Sequence, residues 1–380
     1  MINLSNIGHT IIRLPYESSG SIASAWNTSA NSCFYACGPT QLDPEIRLYE
    51  IFHSSPDNEN FRLIAGWKSP RDQPTDTPDK LVSLHYFADE LSFCLTLNCG
   101  DIVIVRREPE EHQSHVEIAG SVDAGIAAAA WSPDDELLAV VTNAKSFLLM
   151  SRDYDLVFET EIGPDDIQST KHVSVGWGTA ETQFKGRRVK SLRDPTVPEK
   201  VDSGSLSLSD KGEVNISWRG DGAYVAINSV DNEKRRTIRV YTRDGQLDSV
   251  SEPVDGLEGA LSWRPAGNLL ASVQRLSNCA SVVFFERNGL RHGDFSLRLD
   301  KDELKSWGSF ITLAWNSDSS ILAVQFKDRT QLWTMKNYHY YLKKEIKNLQ
   351  QKTEPLLSIK WHPEKPYMLH KCYSGKLIHS

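Results

Sequence analysis

The chain has 380 residues, too many for one small core and enough for one large β domain or two domains. Its 42 Lys and Arg against 50 Asp and Glu leave a formal charge of −8, which argues against a surface built to coat nucleic acid or an anionic membrane. Hydrophobic residues at 39% exclude general disorder, and 10 Trp beside 4 Met point to aromatic-anchored β structure.

Met1–Thr10 lacks the basic and apolar regions of a secretory signal. The most apolar runs, Ile126–Trp131 and Leu137–Val141, fall far short of the roughly 20 residues of a membrane helix. With 6 Cys and no signal, the thiols are expected to be reduced, in a cytoplasmic and also a nuclear setting.

Along the chain one unit recurs: a short apolar strand closing on an aromatic residue, a polar turn, then a second apolar strand. It opens weakly at Ile22–Trp26 and again at Val82–Phe87, where Phe87 takes the Trp position. Between them lies a polar connector, Lys68–Pro78, read as loop. The clearest copy runs from Ala127 through Trp131 to Val141. A weak one ends at Trp177, and strong ones follow at Asn215–Trp218, Ala260–Trp263 and Thr312–Trp315. An eighth start, Ser358–Trp361, has no room to finish. Beyond the first interval the anchors stand about 41 to 52 residues apart, close to the period of a four-stranded propeller blade.

Third strands are expected at Ile46–Tyr49, Asp101–Val105, Phe147–Met150, Ile238–Tyr241, Val282–Phe285 and Gln331–Thr334. Several end in Arg-Asp or Arg-Asn-Gly, and Asp244-Gly245 and Asn288-Gly289 supply the positive φ of a tight hairpin into a fourth strand. A lone four-stranded sheet leaves both faces bare, whereas radially stacked sheets cover each other. The anchors Trp26, Phe87, Trp131, Trp177, Trp218, Trp263 and Trp315 are therefore assigned to packing between blades. The expected fold is all-β, a seven-bladed WD-type β-propeller over residues 1–345, closed by the N-terminal strand. Blade four is incomplete or carries a long loop, because Phe184–Val214 holds no third strand. Residues 341–352 read as strand, short helix or linker. Residues 346–380 read as a linker with the first strands of a second propeller, or as closing strands, and the chain as part of something longer.

Chemistry-bearing patterns are sparse. There is no His-Glu-x-x-His, Gly-x-Ser-x-Gly or phosphate-cradling Gly-rich loop, so no enzyme, cofactor or metal is assigned. Cys33, Cys37, Cys94 and Cys99 read as small hydrophobes rather than zinc ligands. His112 and His115 lie in an acidic loop with Glu108, Glu110 and Glu111, and His292 reads as a turn residue satisfied by backbone. The basic segment holding Lys185, Arg187, Arg188, Lys190 and Arg193 is either a solvated loop or a contact for RNA or an acidic partner. The lack of nearby aromatics weakens the RNA reading.

Particular words then become informative. Val175-Gly-Trp-Gly178, Glu181-Thr-Gln-Phe-Lys-Gly186, Trp218-Arg-Gly-Asp-Gly222 and Ser251-Glu-Pro-Val254 resemble the largest, scaffold subunit of the Elongator complex. So do Gly125–Pro133, Phe284–Gly293, Gln331–Thr334 and Asn337–Leu342, in order over residues 119–375; residues 1–118 match more loosely, and Tyr340 stands where the family often has Trp. The resemblance implies the first of two N-terminal propellers of a non-catalytic scaffold. Its family partners are the catalytic radical-SAM/acetyltransferase-like subunit and a second propeller subunit. The complex modifies the wobble uridine (U34) of transfer RNAs at C5. Homodimerisation belongs to a C-terminal region absent from this chain, and the family's basic tRNA-contacting segment is expected further downstream. Two other readings compete: a propeller enzyme with a site in its central channel, and a generic propeller adaptor of a coat or transport complex.

Overall fold

The computed structural model describes residues 21–40, 43–52, 61–69, 79–107, 114–163, 202–231, 235–299, 303, 311–326, 328–347 and 356–373. Among them every named element is a β-strand. Two compact units are present: Met1–Trp131 with Asp135–Val157 and Asn348–Ser380, and Ser132–Asp134 with Phe158–Lys347.

In the first unit β1 (Ile22–Asn27), β2 (Ser32–Cys37), β3 (Glu45–Phe52) and β4 (Phe61–Lys68) pair antiparallel in chain order. The same order recurs in β5 (Leu81–Phe87), β6 (Ser92–Leu97), β7 (Asp101–Arg107) and β8 (Ser114–Ser121). It recurs again in β9 (Ile126–Trp131), β10 (Leu137–Thr142), β11 (Ser146–Ser151) and β12 (Leu156–Glu161), of which only Leu156 and Val157 fall in this unit. The second unit repeats it three times. Its first sheet is β13 (Asn215–Trp218), β14 (Tyr224–Val230), β15 (Arg236–Thr242) and β16 (Leu247–Val250). Next come β17 (Leu257–Trp263), β18 (Leu269–Arg275), β19 (Ala280–Glu286) and β20 (Arg291–Ser296), then β21 (Thr312–Trp315), β22 (Ile321–Gln325), β23 (Arg329–Lys336) and β24 (His339–Lys347). β25 (Leu356–Trp361) and β26 (Leu369–Tyr373) form a two-stranded sheet.

Position within a sheet explains composition. Second and third strands are covered on both faces and are nearly continuous apolar runs, as Leu138–Val141 and Val282–Phe285 show. Fourth strands are half exposed, with Ile118 on β8 and Val157 on β12 open to solvent. All six expected third strands occupy that position, in β3, β7, β11, β15, β19 and β23. Gly245 and Gly289 turn the third strand into the fourth at φ of +83° and +84°. Of residues 341–352, ambiguous in the sequence, 341–347 belong to the strand β24 and 348–352 lie outside the described residues.

The core lies between sheets rather than within one. In the first unit Phe34 and Leu48 meet Phe93 and Leu95, and Phe87 and Ile104 meet Trp131 and Leu138. In the second, Ile238 and Val240 meet Trp263 and Leu270, and Val282 and Phe284 meet Trp315 and Leu322. The β25–β26 pair packs on β1 and β2: His362 lies 4.7 Å from Trp26 and His370 lies 5.2 Å from Tyr35, ring centre to ring centre. The described residues therefore hold six four-stranded sheets and one two-stranded sheet. Val173–Trp177, on which a count of seven blades depends, lies outside them.

Candidate functional site

Each described anchor sits at or next to the end of a first strand. Trp26, Phe87, Trp131, Trp218, Trp263 and Trp315 are all buried. Phe87 meets Trp131 edge-on at 4.9 Å, Trp263 stacks on Tyr224 at 6.4 Å, and Trp315 lies 6.4 Å from Phe284. A main-chain link accompanies the rings. The serine before one anchor accepts from the N–H of the next: Trp263 donates to Ser217 Oγ at 2.9 Å and Trp315 to Ser262 Oγ at 3.1 Å.

The residue after the anchor adds a clasp. Arg219 follows Trp218, lies 4.5 Å from the Tyr224 ring centre and donates to Asn268 Oδ1 on the next sheet at 2.8 Å. Arg264 follows Trp263, reaches the Ser319 carbonyl at 3.3 Å and lies over Trp315. The third-to-fourth turns contribute as well: Arg287 sits over Tyr224 at 4.6 Å, and in the first unit Arg152 grips Asp89 and covers Phe87. Three of the sheets, β9–β12, β13–β16 and β17–β20, thus carry at one end arginines whose heads are committed to neighbouring groups.

The second unit also contains a buried polar network that sequence reasoning missed. Asp255 Oδ1 accepts from the N–H groups of Ser203, Gly204 and Ser205 and from both serine hydroxyls, all at 2.9–3.1 Å. Burial pushes its carboxyl up, but these donors outweigh that and hold it at about 2. Arg236 binds Asp210 through two contacts of 2.6 Å, with both side chains almost fully buried. Arg275 pairs with Glu258 at 2.7 Å, and Ser207 donates to the same carboxylate at 3.0 Å. Burial raises the Glu258 carboxyl despite Arg275 beside it. Residues 202–213, read from sequence as loop, are therefore a strap held to β15 by Asp210–Arg236, to β17 by Ser207–Glu258, and to Asp255 just before β17. The only sequence signals were Arg236 and Arg239 inside an apolar strand and Arg275 at the end of another. A cleft of about 130 Å³ opens beside the network, lined by Asp210, Arg236, Glu258 and Leu313.

The basic residues Lys185, Arg187, Arg188, Lys190 and Arg193 lie outside the described residues. So do Trp177, His112, Glu108, Glu110, Glu111 and the connector 70–78. His115 is exposed on β8, 4.0 Å from Glu117. His292 departs from expectation. It lies on β20, not in a turn, and its Nδ1 is 2.7 Å from the Glu286 carboxylate, because the Asn288-Gly289 hairpin sets those positions side by side. Cys33, Cys37 and Cys94 are buried in strands, and burial pushes Cys37 and Cys94 up to about 11 and Cys99 to about 12, so these three stay inert thiols at neutral pH. Among the described residues no three His, Cys, Asp or Glu side chains converge as a metal group. The carboxylates of the network serve arginines and hydroxyls: Asp210 binds Arg236, Glu258 binds Arg275 and Ser207, and Asp255 binds Ser203 and Ser205. Such an arrangement fixes the strap to the sheet.

The family model described as "ELP1 first N-terminal beta-propeller" matches residues 1–364. The chain belongs to this family. It is 43% identical to Elongator complex protein 1 of Schizosaccharomyces pombe over 91% of this chain and 27% of that protein. With the Saccharomyces cerevisiae protein the identity is 42%, over 77% and 24%, and with the Mus musculus protein 37%, over 80% and 23%. The chain thus spans about a quarter of the length of these relatives. Among solved structures, Sqt1 of Chaetomium thermophilum, bound to the N-terminus of ribosomal protein L10, superposes with a TM-score of 0.55 at 14% identity, over 87% of this chain and 76% of that one. A chain of the mitotic checkpoint complex gives 0.56 at 11%, over 98% and 93%. At such low identities these two speak for the fold alone. That fold is all-β, of the WD-type propeller class.

Proposed function

We propose that this chain is the non-catalytic first propeller of the Elongator scaffold subunit, a rigid frame that docks other Elongator subunits. The observation carrying this reading is the family match across residues 1–364. The pairs Arg236–Asp210 and Arg275–Glu258 and the donors gathered on Asp255 give these buried charges structural partners, which supports the non-enzymatic part. In this reading the partners are the catalytic radical-SAM/acetyltransferase-like subunit and the second propeller subunit. The whole complex modifies the wobble uridine of transfer RNAs at C5, in the cytoplasm. The sequence segment Lys185–Arg193 is the candidate contact for tRNA or an acidic partner, since clustered cations on a net-negative chain concentrate local potential.

The test is affinity purification of the full-length protein from its own cells, with mass spectrometry of what accompanies it. Elongator subunits should co-purify, and deleting residues 1–364 should weaken that association and lower C5-modified wobble uridine. Recovery of coat or transport proteins instead would sink the reading in favour of a generic adaptor. Within it, Ala at Arg187, Arg188 and Lys190 should weaken salt-sensitive tRNA or partner binding at unchanged thermal stability. An unaltered salt titration leaves that segment a solvated loop.

A further inference from the structure

The cleft beside the buried network lies wholly within the second unit, and its lining comes from the strap and from β13, β17 and the start of β21. Part of that lining is apolar, made of Leu261, Ile311 and Leu313. The rest is polar, and its hydrogen-bonding groups are unevenly used.

The buried donors are committed. Arg236 gives its Nε and both Nη groups to Asp210, the Glu213 carbonyl and Asn228. Asn215 donates its Nδ2 to the Gly259 carbonyl at 2.9 Å. The acceptors are not all committed. Glu258 is 3% exposed, and its Oε1 takes Arg275 and Ser207, neither of which lines the cleft. Its Oε2 is buried and has no hydrogen-bond partner. Because Asn215 turns its nitrogen to Gly259, its Oδ1 is a second open acceptor. The Glu213 carboxylate at the rim is exposed and has no ion-pair partner among the described residues.

A buried carboxylate oxygen without a donor is costly, and a ligand that brings one recovers that cost. Burial raises the Glu258 carboxyl, a shift that an arriving cation opposes. An anion fits poorly, since it would face Glu213 and Glu258 with only exposed Lys211 to greet it. The size is also restrictive. A cavity of about 150 Å³ takes a benzene ring, so a cleft of about 130 Å³ holds a side chain rather than a nucleotide or sugar.

We infer that this cleft binds a primary ammonium carried on a straight aliphatic stem, the chemistry of a lysine side chain. The stem lies along Leu261, Ile311 and Leu313, and the ammonium, all donor and no acceptor, bonds Glu258 Oε2 with Asn215 Oδ1 and Glu213 as its further acceptors. The inference does not depend on which complex holds the chain.

Methyl nuclear magnetic resonance of the 380-residue chain, labelled at Ile and Leu, reads the site through Leu261, Ile311 and Leu313. Butylamine, a lysine side chain cut at Cβ, should shift these signals with a Kd on the order of 1 mM. 1-Butanol, with the same stem and no charge, should bind at least about tenfold more weakly. A capped Ala-Lys-Ala peptide and its Nε-acetylated form separate the sources of the ammonium. Binding of the lysine peptide assigns the site to a side chain of a partner protein, and binding of butylamine without it assigns the site to a free amine. Glu258→Gln should lose about tenfold or more. Because Glu258 also holds Arg275 and Ser207, exposed Glu213→Lys is the second variant. It should lose about threefold or more with an unchanged circular dichroism spectrum. No shift with butylamine or the lysine peptide, butanol binding as well as butylamine, equal binding of the acetylated peptide, or unaltered affinity in either variant would each overturn the inference.

Discussion

Replacing Trp263 with Ala tests the packing logic most directly. The ring is 3% exposed, sits among Ile238, Val240, Leu270 and Phe285 of two sheets, and donates its Nε1–H to the Gly267 carbonyl at 3.2 Å. Emptying a site of this kind costs about 3–5 kcal/mol in lost transfer energy and cavity formation. The stranded Gly267 carbonyl is reached by solvent at the turn, so the hydrogen bond adds no more than about 1 kcal/mol. A loss of about 4 kcal/mol is expected, measured by urea denaturation followed by far-ultraviolet circular dichroism. Leu208→Ala is the matched control, because that side chain is fully exposed and should change stability by less than about 0.5 kcal/mol. Trp263→Phe keeps most of the buried area and should fall between the two. A loss below about 1 kcal/mol for Trp263→Ala would refute the claim that inter-sheet aromatics hold the unit together.

Three further outcomes follow from the same contacts. Asp255→Ala strands five donors, so amide exchange at residues 203–205 should accelerate and stability fall by about 2–4 kcal/mol, as loss of bonds to a charged acceptor implies. In the wild-type protein the Asp255 carboxyl sits at about 2, below its ordinary 3.8, so its contribution is complete above pH 4 and fades as the pH falls toward 2. Exchange protection of the strap should follow that window; protection unchanged down to pH 2 would contradict it. Lys371 on β26 is largely buried, its Nζ has no hydrogen-bond partner, and burial pulls it from 10.5 down to about 8. Its charged form therefore costs stability below pH 8, a cost relieved as the pH rises toward 10.5. Lys371→Met should stabilise the protein at pH 7 by up to about 3 kcal/mol and flatten the rise above pH 8, read from thermal unfolding across pH. Gly289→Ala should destabilise by more than about 1 kcal/mol, because φ is +84° and the new Cβ would lie 2.1 Å from the Val250 carbonyl oxygen. A neutral effect would mean that the hairpin shifts freely.

Much of the fold is legible in the chain itself. Strand identity follows from local alternation and apolar runs such as Leu137–Val141, and the sharp turns follow from Asp244-Gly245 and Asn288-Gly289. Repetition of Trp at blade-like intervals is enough to assign Trp131, Trp263 and Trp315 to the spaces between sheets. These properties are local or periodic, so nearest neighbours and spacing carry them. The candidate site was far less legible. Nothing near Ser203–Ser205 announces that Asp255, about 50 residues on, will collect their donors, and nothing near Asp210 names Arg236 as its buried partner. His292 found Glu286 only because a hairpin folded one strand onto another. Whether Lys343, Lys344 and Lys347 belonged to a strand, a helix or a linker was undecided until β23 paired with β24. Which charge meets which is settled by contacts between residues far apart in the chain, where local pattern holds no information.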